Sequence, residues 1–120
     1  MLQKEKDIYK RIDKFVLQSL VVIKKIPQDL VNREILKQAV RSITSIGSNA
    51  REAQASQTRK EFIRCFSISK REAKESQYWL FLLMEINPPY KTFLEKLIVE
   101  CDELTAIISA IISSTVKKSN

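Results

Sequence analysis

With 120 residues, one glycine, three prolines and no histidine, the chain has the length of a single domain and few of the residues that make turns and sheets. The same counts exclude Ser-His-Asp catalysis, the Glu-x-x-His pairs of di-iron bundles and glycine-rich phosphate loops. Twenty-one basic against fourteen acidic side chains leave a net +7, a balance that suits an anionic partner and equally suits an ordinary basic protein.

A first helix is predicted over about residues 3–26. Ile8, Ile12, Phe15, Ser19, Val22 and Ile26 recur at steps of four and three, the spacing of one helical face. Val16, Leu20 and Ile23 widen that seam, and Pro27 ends the helix by forcing the residue before it out of helical geometry. Residues 1–27 carry seven basic and three acidic groups, a net +4. Met1–Asp7 is charged with no apolar stretch behind it, so no signal peptide is expected.

Asp29 is the expected N-cap of a second helix over 29–55, with Leu36, Ala39, Ile43, Ile46, Ala50 and Ala53 on its inner face. Gly47 interrupts it at about 1 kcal/mol relative to Ala, which reads as close packing or a slight kink rather than a ligand site. Arg33, Lys37 and Arg41 stand at i, i+4 and i+8, and Ser48 and Arg51 continue the row. After Ser56-Gln57 a third helix is expected over 58–86. It opens on Thr58-Arg59-Lys60-Glu61, a capping box. Phe62, Phe66, Ser69, Ala73, Ser76, Leu80 and Leu83 form its seam. The seam is small in the middle and bulky at its ends, so a neighbouring helix can come close at the centre. Lys60, Arg64, Arg71 and Lys74 line another side.

Asn87-Pro88-Pro89 is a firm break before a fourth helix over 89–117, with Tyr90, Leu94, Leu97, Cys101, Leu104, Ile108, Ile111 and Thr115 on its seam. Ala106, Ile107, Ala110 and Ile112 spread apolar surface beyond it, and a helix apolar on most sides is one buried on most sides. A second buried contact, between subunits, is therefore expected. The apolar-leaning run Leu104–Val116 is broken by serine and threonine and is shorter than the ~20 residues of a membrane span. A cytoplasmic protein without membrane contact is expected. Cys65 and Cys101 lack metal-type spacing and sit on apolar faces, as buried free thiols do. The fold expected over 1–120 is all-α, an antiparallel up-down-up-down four-helix bundle of one domain.

Chemistry is sparse. Glu72 and Glu75 share one turn of the third helix, and carboxylates so spaced beside Arg71 and Lys74 are read as ion-paired groups rather than an acid/base pair. No enzyme, cofactor or metal is expected. The basic rows have two readings: solvated faces with i,i+4 pairing around Glu34, or sequence-independent contacts to phosphate. Under the second, the contacts are Arg33, Lys37, Arg41, Arg51, Lys60, Arg64, Arg71 and Lys74. Tyr78 and Trp79 have the chemistry to stack bases, but their place near the apolar end of the helix assigns them to packing.

Three runs, Ser45-Ile46-Gly47-Ser48-Asn49-Ala50-Arg51-Glu52-Ala53, Thr58-Arg59-Lys60-Glu61-Phe62-Ile63-Arg64 and Ala73-Lys74-Glu75-Ser76-Gln77-Tyr78-Trp79-Leu80, resemble the bacterial four helix bundle protein family. Its founding members are encoded in intervening sequences of 23S ribosomal RNA genes. The chain departs from the family pattern at Gly47 (commonly proline), Arg51 (a small residue), Ala53 (glycine) and Gln77 (glutamate). The resemblance implies a homopentamer of antiparallel bundles without enzymatic activity. Similar accessory proteins of diversity-generating retroelements are basic pentamers that bind a reverse transcriptase and RNA. The expectation is an oligomeric basic bundle associating with RNA, DNA or a nucleoprotein. The alternative is a protein-interaction scaffold that touches no nucleic acid.

Overall fold

The computed structural model describes residues 3–119, with side chains from Ile8 to Lys118; the charged opening Met1–Asp7 lies outside the described side chains. Four helices, α1 (Gln3–Lys25), α2 (Leu30–Gln54), α3 (Arg59–Ile86) and α4 (Lys91–Ser119), are joined by short links. Among the described residues there is no strand. The molecule is a rod of 49 × 21 × 19 Å, as long as its helices, since 28 residues rise about 42 Å. No described helix is long and apolar enough to cross a membrane.

The helix ends fall where side-chain chemistry puts them. The Asp29 carboxylate accepts the Asn32 backbone N–H at 2.8 Å, and the Thr58 hydroxyl accepts that of Glu61 at 3.1 Å, each satisfying a donor that the first turn leaves without an intrahelical partner. Lys24 and Lys25 close α1, Arg51 lies in the last turn of α2, and Lys117 and Lys118 close α4, cations at the negative end of each dipole. Arg59 adds a bond across the bundle, from its guanidinium to the Lys118 carbonyl. The double proline does more than break the chain: Pro88–Tyr90 form a 3-10 turn. The last helix therefore starts at Lys91 rather than 89, and Tyr90 is half-buried in that turn instead of on the α4 seam.

The core holds Ile8, Ile12 and Phe15 of α1, Ile43 and Ile46 of α2, Phe66, Leu80 and Leu83 of α3, and Leu94, Leu104 and Ile108 of α4, each at most 1% exposed. In α1 the buried position after Ser19 is Ile23, while Val22 is half-buried. The step is i+4 where i+3 was expected, and it leaves Val22 at the edge beside Phe93 and Leu97 of α4. Phe66 joins α1 to α3 across the core, stacked on Tyr9 with centroids 5.8 Å apart and edge-on to Phe62 at 4.9 Å.

The small middle of α3 does what its side chains allow. Ser69 donates its hydroxyl to the Ile46 carbonyl of α2 (2.9 Å), and the Ser76 and Ser42 hydroxyls meet at 2.8 Å. From the other flank, Cys101 of α4 reaches the Ala73 carbonyl at 3.3 Å. A side chain of one or two heavy atoms can touch a neighbouring helix's backbone only if the helices are close, so α3 is gripped from both sides. At one end, Asn32 and Asn87 exchange side-chain amide bonds of 2.8 and 2.9 Å while buried, tying the start of α2 to the end of α3. By contrast α1 touches its neighbours more thinly, and open grooves of about 390 and 370 Å³ run along its α4 and α2 flanks.

Candidate nucleic-acid interface

The outer face of α3 carries Lys60, Arg64, Arg71 and Lys74, all exposed. The core seam of the same helix, Phe66, Ser69, Ala73, Ser76 and Leu80, is fully buried on the opposite side, which fixes the row toward solvent. Among the described residues none of the four has a carboxylate partner; the one contact recorded for them is Arg64 Nη2 to the Sγ of Cys65 at 3.6 Å. Their charge is left to water or to a ligand.

The α2 residues divide. Arg33 is exposed, and its guanidinium donates to the Gln28 carbonyl at 3.3 Å. Lys37 is exposed and 3.7 Å from Glu34, so the Glu34 carboxylate pairs with Lys37 and not with Arg33. Arg41 is turned toward α3, where one guanidinium nitrogen donates to Glu72 at 3.1 Å and the other to Glu75. Glu72 and Glu75 are thus ion-paired, as their spacing indicated, but across the helix pair rather than to Arg71 or Lys74. Arg51 points the other way, toward α1, and holds Asp13 at 2.5 Å. Of the eight residues singled out, Arg33, Lys60, Arg64, Arg71 and Lys74 carry charge with no carboxylate partner among the described residues. Arg41 and Arg51 have theirs largely neutralised.

Trp79 is half-buried against the core, its indole N–H 3.2 Å from the Glu75 carboxylate, so it packs. Tyr78 lies tilted against the Trp79 ring, centroids 5.2 Å apart, yet is 55% exposed. Lying four residues after Lys74 and seven after Arg71, it extends the basic row with an aromatic face. Its hydrophobic neighbours in sequence concealed this; counting from Arg71 rather than from Leu80 would have found it. Asn49 turns back on its own helix, its amide 2.9 Å from the Ser45 carbonyl. No described cluster of three or more Cys, Asp and Glu side chains is arranged to hold a metal ion.

A solved structure resembles the chain over almost its whole length: a protein of unknown function from the S23 ribosomal protein family of Bacteroides thetaiotaomicron. It is 30% identical, covers 92% of this chain and 99% of its own, and superposes with a TM-score of 0.78. No curated protein matches the sequence. Residues 4–110, spanning all four helices, match the family described as 23S rRNA-intervening sequence protein. The motifs of the second and third helices, the four-helix fold and this match agree, and the chain belongs to the 23S rRNA-intervening sequence protein family.

Proposed function

We propose that this protein is a non-enzymatic, oligomeric basic bundle, its helices antiparallel in up-down-up-down order, that associates with RNA, DNA or a nucleoprotein such as a reverse-transcriptase complex. The observation that carries the reading is the outer face of α3: Lys60, Arg64, Arg71 and Lys74 exposed on one side, with no carboxylate partner among the described residues, and Tyr78 continuing the row at 55% exposure. Unpaired cations neutralise phosphates without regard to sequence, and an exposed aromatic ring gives a base something to stack on.

The homopentamer and the cytoplasmic setting are proposed on the family resemblance alone. Exposed Val99, Ala106 and Ala110 on the outer face of α4 give the oligomer an apolar surface to bury. Repeating one weak basic face several times multiplies its avidity. A light-scattering mass near five times the 13.9 kDa chain is expected; the mass of a single chain would remove the oligomer.

Anisotropy of a labelled single-stranded RNA tests the binding. Arg64→Glu with Arg71→Glu should weaken it at least tenfold, whereas the ion-paired Arg51→Ala should change it less than threefold. If the double reversal leaves RNA binding intact, the α3 face is not the interface. The alternative scaffold reading draws on the exposed apolar side chains Leu17, Val21 and Phe93, and under it the same reversal leaves partner binding unaffected.

A further inference from the structure

An apolar opening lies away from the basic face of α3, in the groove between α1 and α4. Leu17, Val21, Val22, Phe93 and Leu97 line it over about 390 Å³. Leu17, Val21 and Phe93 are 64%, 56% and 49% exposed, so three large apolar side chains face water within two turns. Single exposed apolar residues need no explanation, but a contiguous patch in a concavity marks a contact surface.

The charge left without an ion-pair partner around the groove is of one sign. Lys14 stands three residues before Leu17 and Lys24 three after Val21, placing both on the same α1 face. Lys25 hangs over the Phe93 ring with Nζ 5.5 Å from its centroid, and Lys96 forms part of the α4 wall. All four lysines are exposed, and among the described residues none has a carboxylate partner. The nearby acidic groups are already used: Arg11 takes Glu100 through two bonds of 3.2 and 2.6 Å and Glu103 through one of 2.8 Å.

We infer that the α1–α4 groove is a docking site for one amphipathic helix of a partner protein, with two or three apolar anchors on one stripe and acidic residues flanking them. Apolar anchors at i, i+3 or i+4 and i+7 are how a helix fills such a groove, and carboxylates beside them meet the lysine rim. A second copy of this chain presenting the same face is disfavoured, because it would set lysine against lysine; a second copy presenting a different face, as in a ring, is an outcome the test separates. Leu17 also lines the groove on the α2 flank and so stands on the crest of α1, but Val22, Phe93 and Leu97 line the hollow beside it, which a helix fills and a flat bilayer does not. Vesicle capture is the outcome that would favour a membrane. The site stands apart from the α3 face and does not depend on it.

The test uses the full chain and a fluorescein-labelled helical peptide of about 18 residues, with Leu or Phe anchors at helical spacing and glutamate flanks. Anisotropy should report binding that falls at least tenfold for Leu17→Ser with Val21→Ser, and separately for Lys14→Glu with Lys24→Glu. All four positions are exposed, and unchanged circular dichroism would show the fold intact. A peptide with its glutamates replaced by lysine should not bind, and Arg64→Glu with Arg71→Glu should leave peptide binding unchanged even if RNA binding is lost. Three outcomes would overturn the inference: no binding of the acidic peptide, binding indifferent to both groove variants, or capture of phosphatidylserine vesicles with the peptide ignored. So would protection of a Leu17→Cys thiol from maleimide in the protein alone, relieved by dilution, because a second copy would then be the occupant.

Discussion

Cys101 has its Sγ against the Ala73 carbonyl and no exposed surface. Burial raises its pKa from 9.0 to about 12, with Asp102 adding to the shift. The folded state therefore prefers the protonated thiol. That preference stabilises fully below pH 9, where folded and unfolded chains are both protonated. Between pH 9 and about 12 the unfolded chain alone loses its proton, and stability drops by up to about 1.4 kcal/mol per pH unit. Denaturant midpoints should fall across that window and fall less in Cys101→Ala. Native protein at pH 8 should react with a thiol reagent only at the rate of unfolding. Arg41 makes a different case. Half of it is exposed, yet it compensates Glu72, whose side chain is only 13% exposed. Arg41→Ala should cost on the order of 1 kcal/mol in denaturant unfolding, between the values for exposed and buried pairs, and change RNA affinity less than threefold. Sequence spacing put Arg41 in a row with Arg33 and Lys37, but it could not show that α3 brings two carboxylates to it. Long flexible side chains choose partners across helices, and one-dimensional periodicity does not carry that information.

The helices themselves were legible. Asp29 and Thr58 cap where their chemistry predicts, and the seams of α2 and α3 are buried nearly residue for residue. The misreadings arose where two rules competed. A step of four or of three after Ser19 is equally helical, and only the packing of the folded bundle selects Ile23 over Val22. Two prolines end one helix, but Pro at the first position also favours a new turn, which is why Pro88–Tyr90 coil before α4 begins. The small centre of α3 is the most sensitive element. Ala73 is fully buried between α2 and α4, so Ala73→Leu should overpack it by about 1–3 kcal/mol or more, measured as a lowered urea midpoint. The change Lys74→Leu at the exposed position beside it should leave that midpoint within about 0.5 kcal/mol. Gly47 is permissive by comparison. A Cβ there would sit 3.4 Å from Val16, an ordinary contact, and Gly47→Ala should stabilise α2 by up to about 1 kcal/mol.

At the scale of the molecule, four amphipathic rods close one core and leave three surfaces with different characters: the basic outer face of α3, the lysine-rimmed groove beside α1, and the apolar strip on α4. The division into core and surface could be read from apolar spacing alone. Which surface charges are available could not, because it depends on pairs such as Arg51–Asp13 that bring together residues 38 apart in the chain. The reading of function rests on charge that the protein does not itself neutralise, and salt addresses that directly. For single-stranded RNA, the log of the binding constant should fall linearly with the log of salt concentration, with a slope of about −0.7 per phosphate contacted. Removing Lys60 or Lys74 should make that slope shallower by about one contact each, with affinity lowered evenly across RNA sequences. Binding that stays level from 50 to 300 mM salt (roughly the span over which counterion release acts), or a slope unchanged by either lysine, would contradict the account.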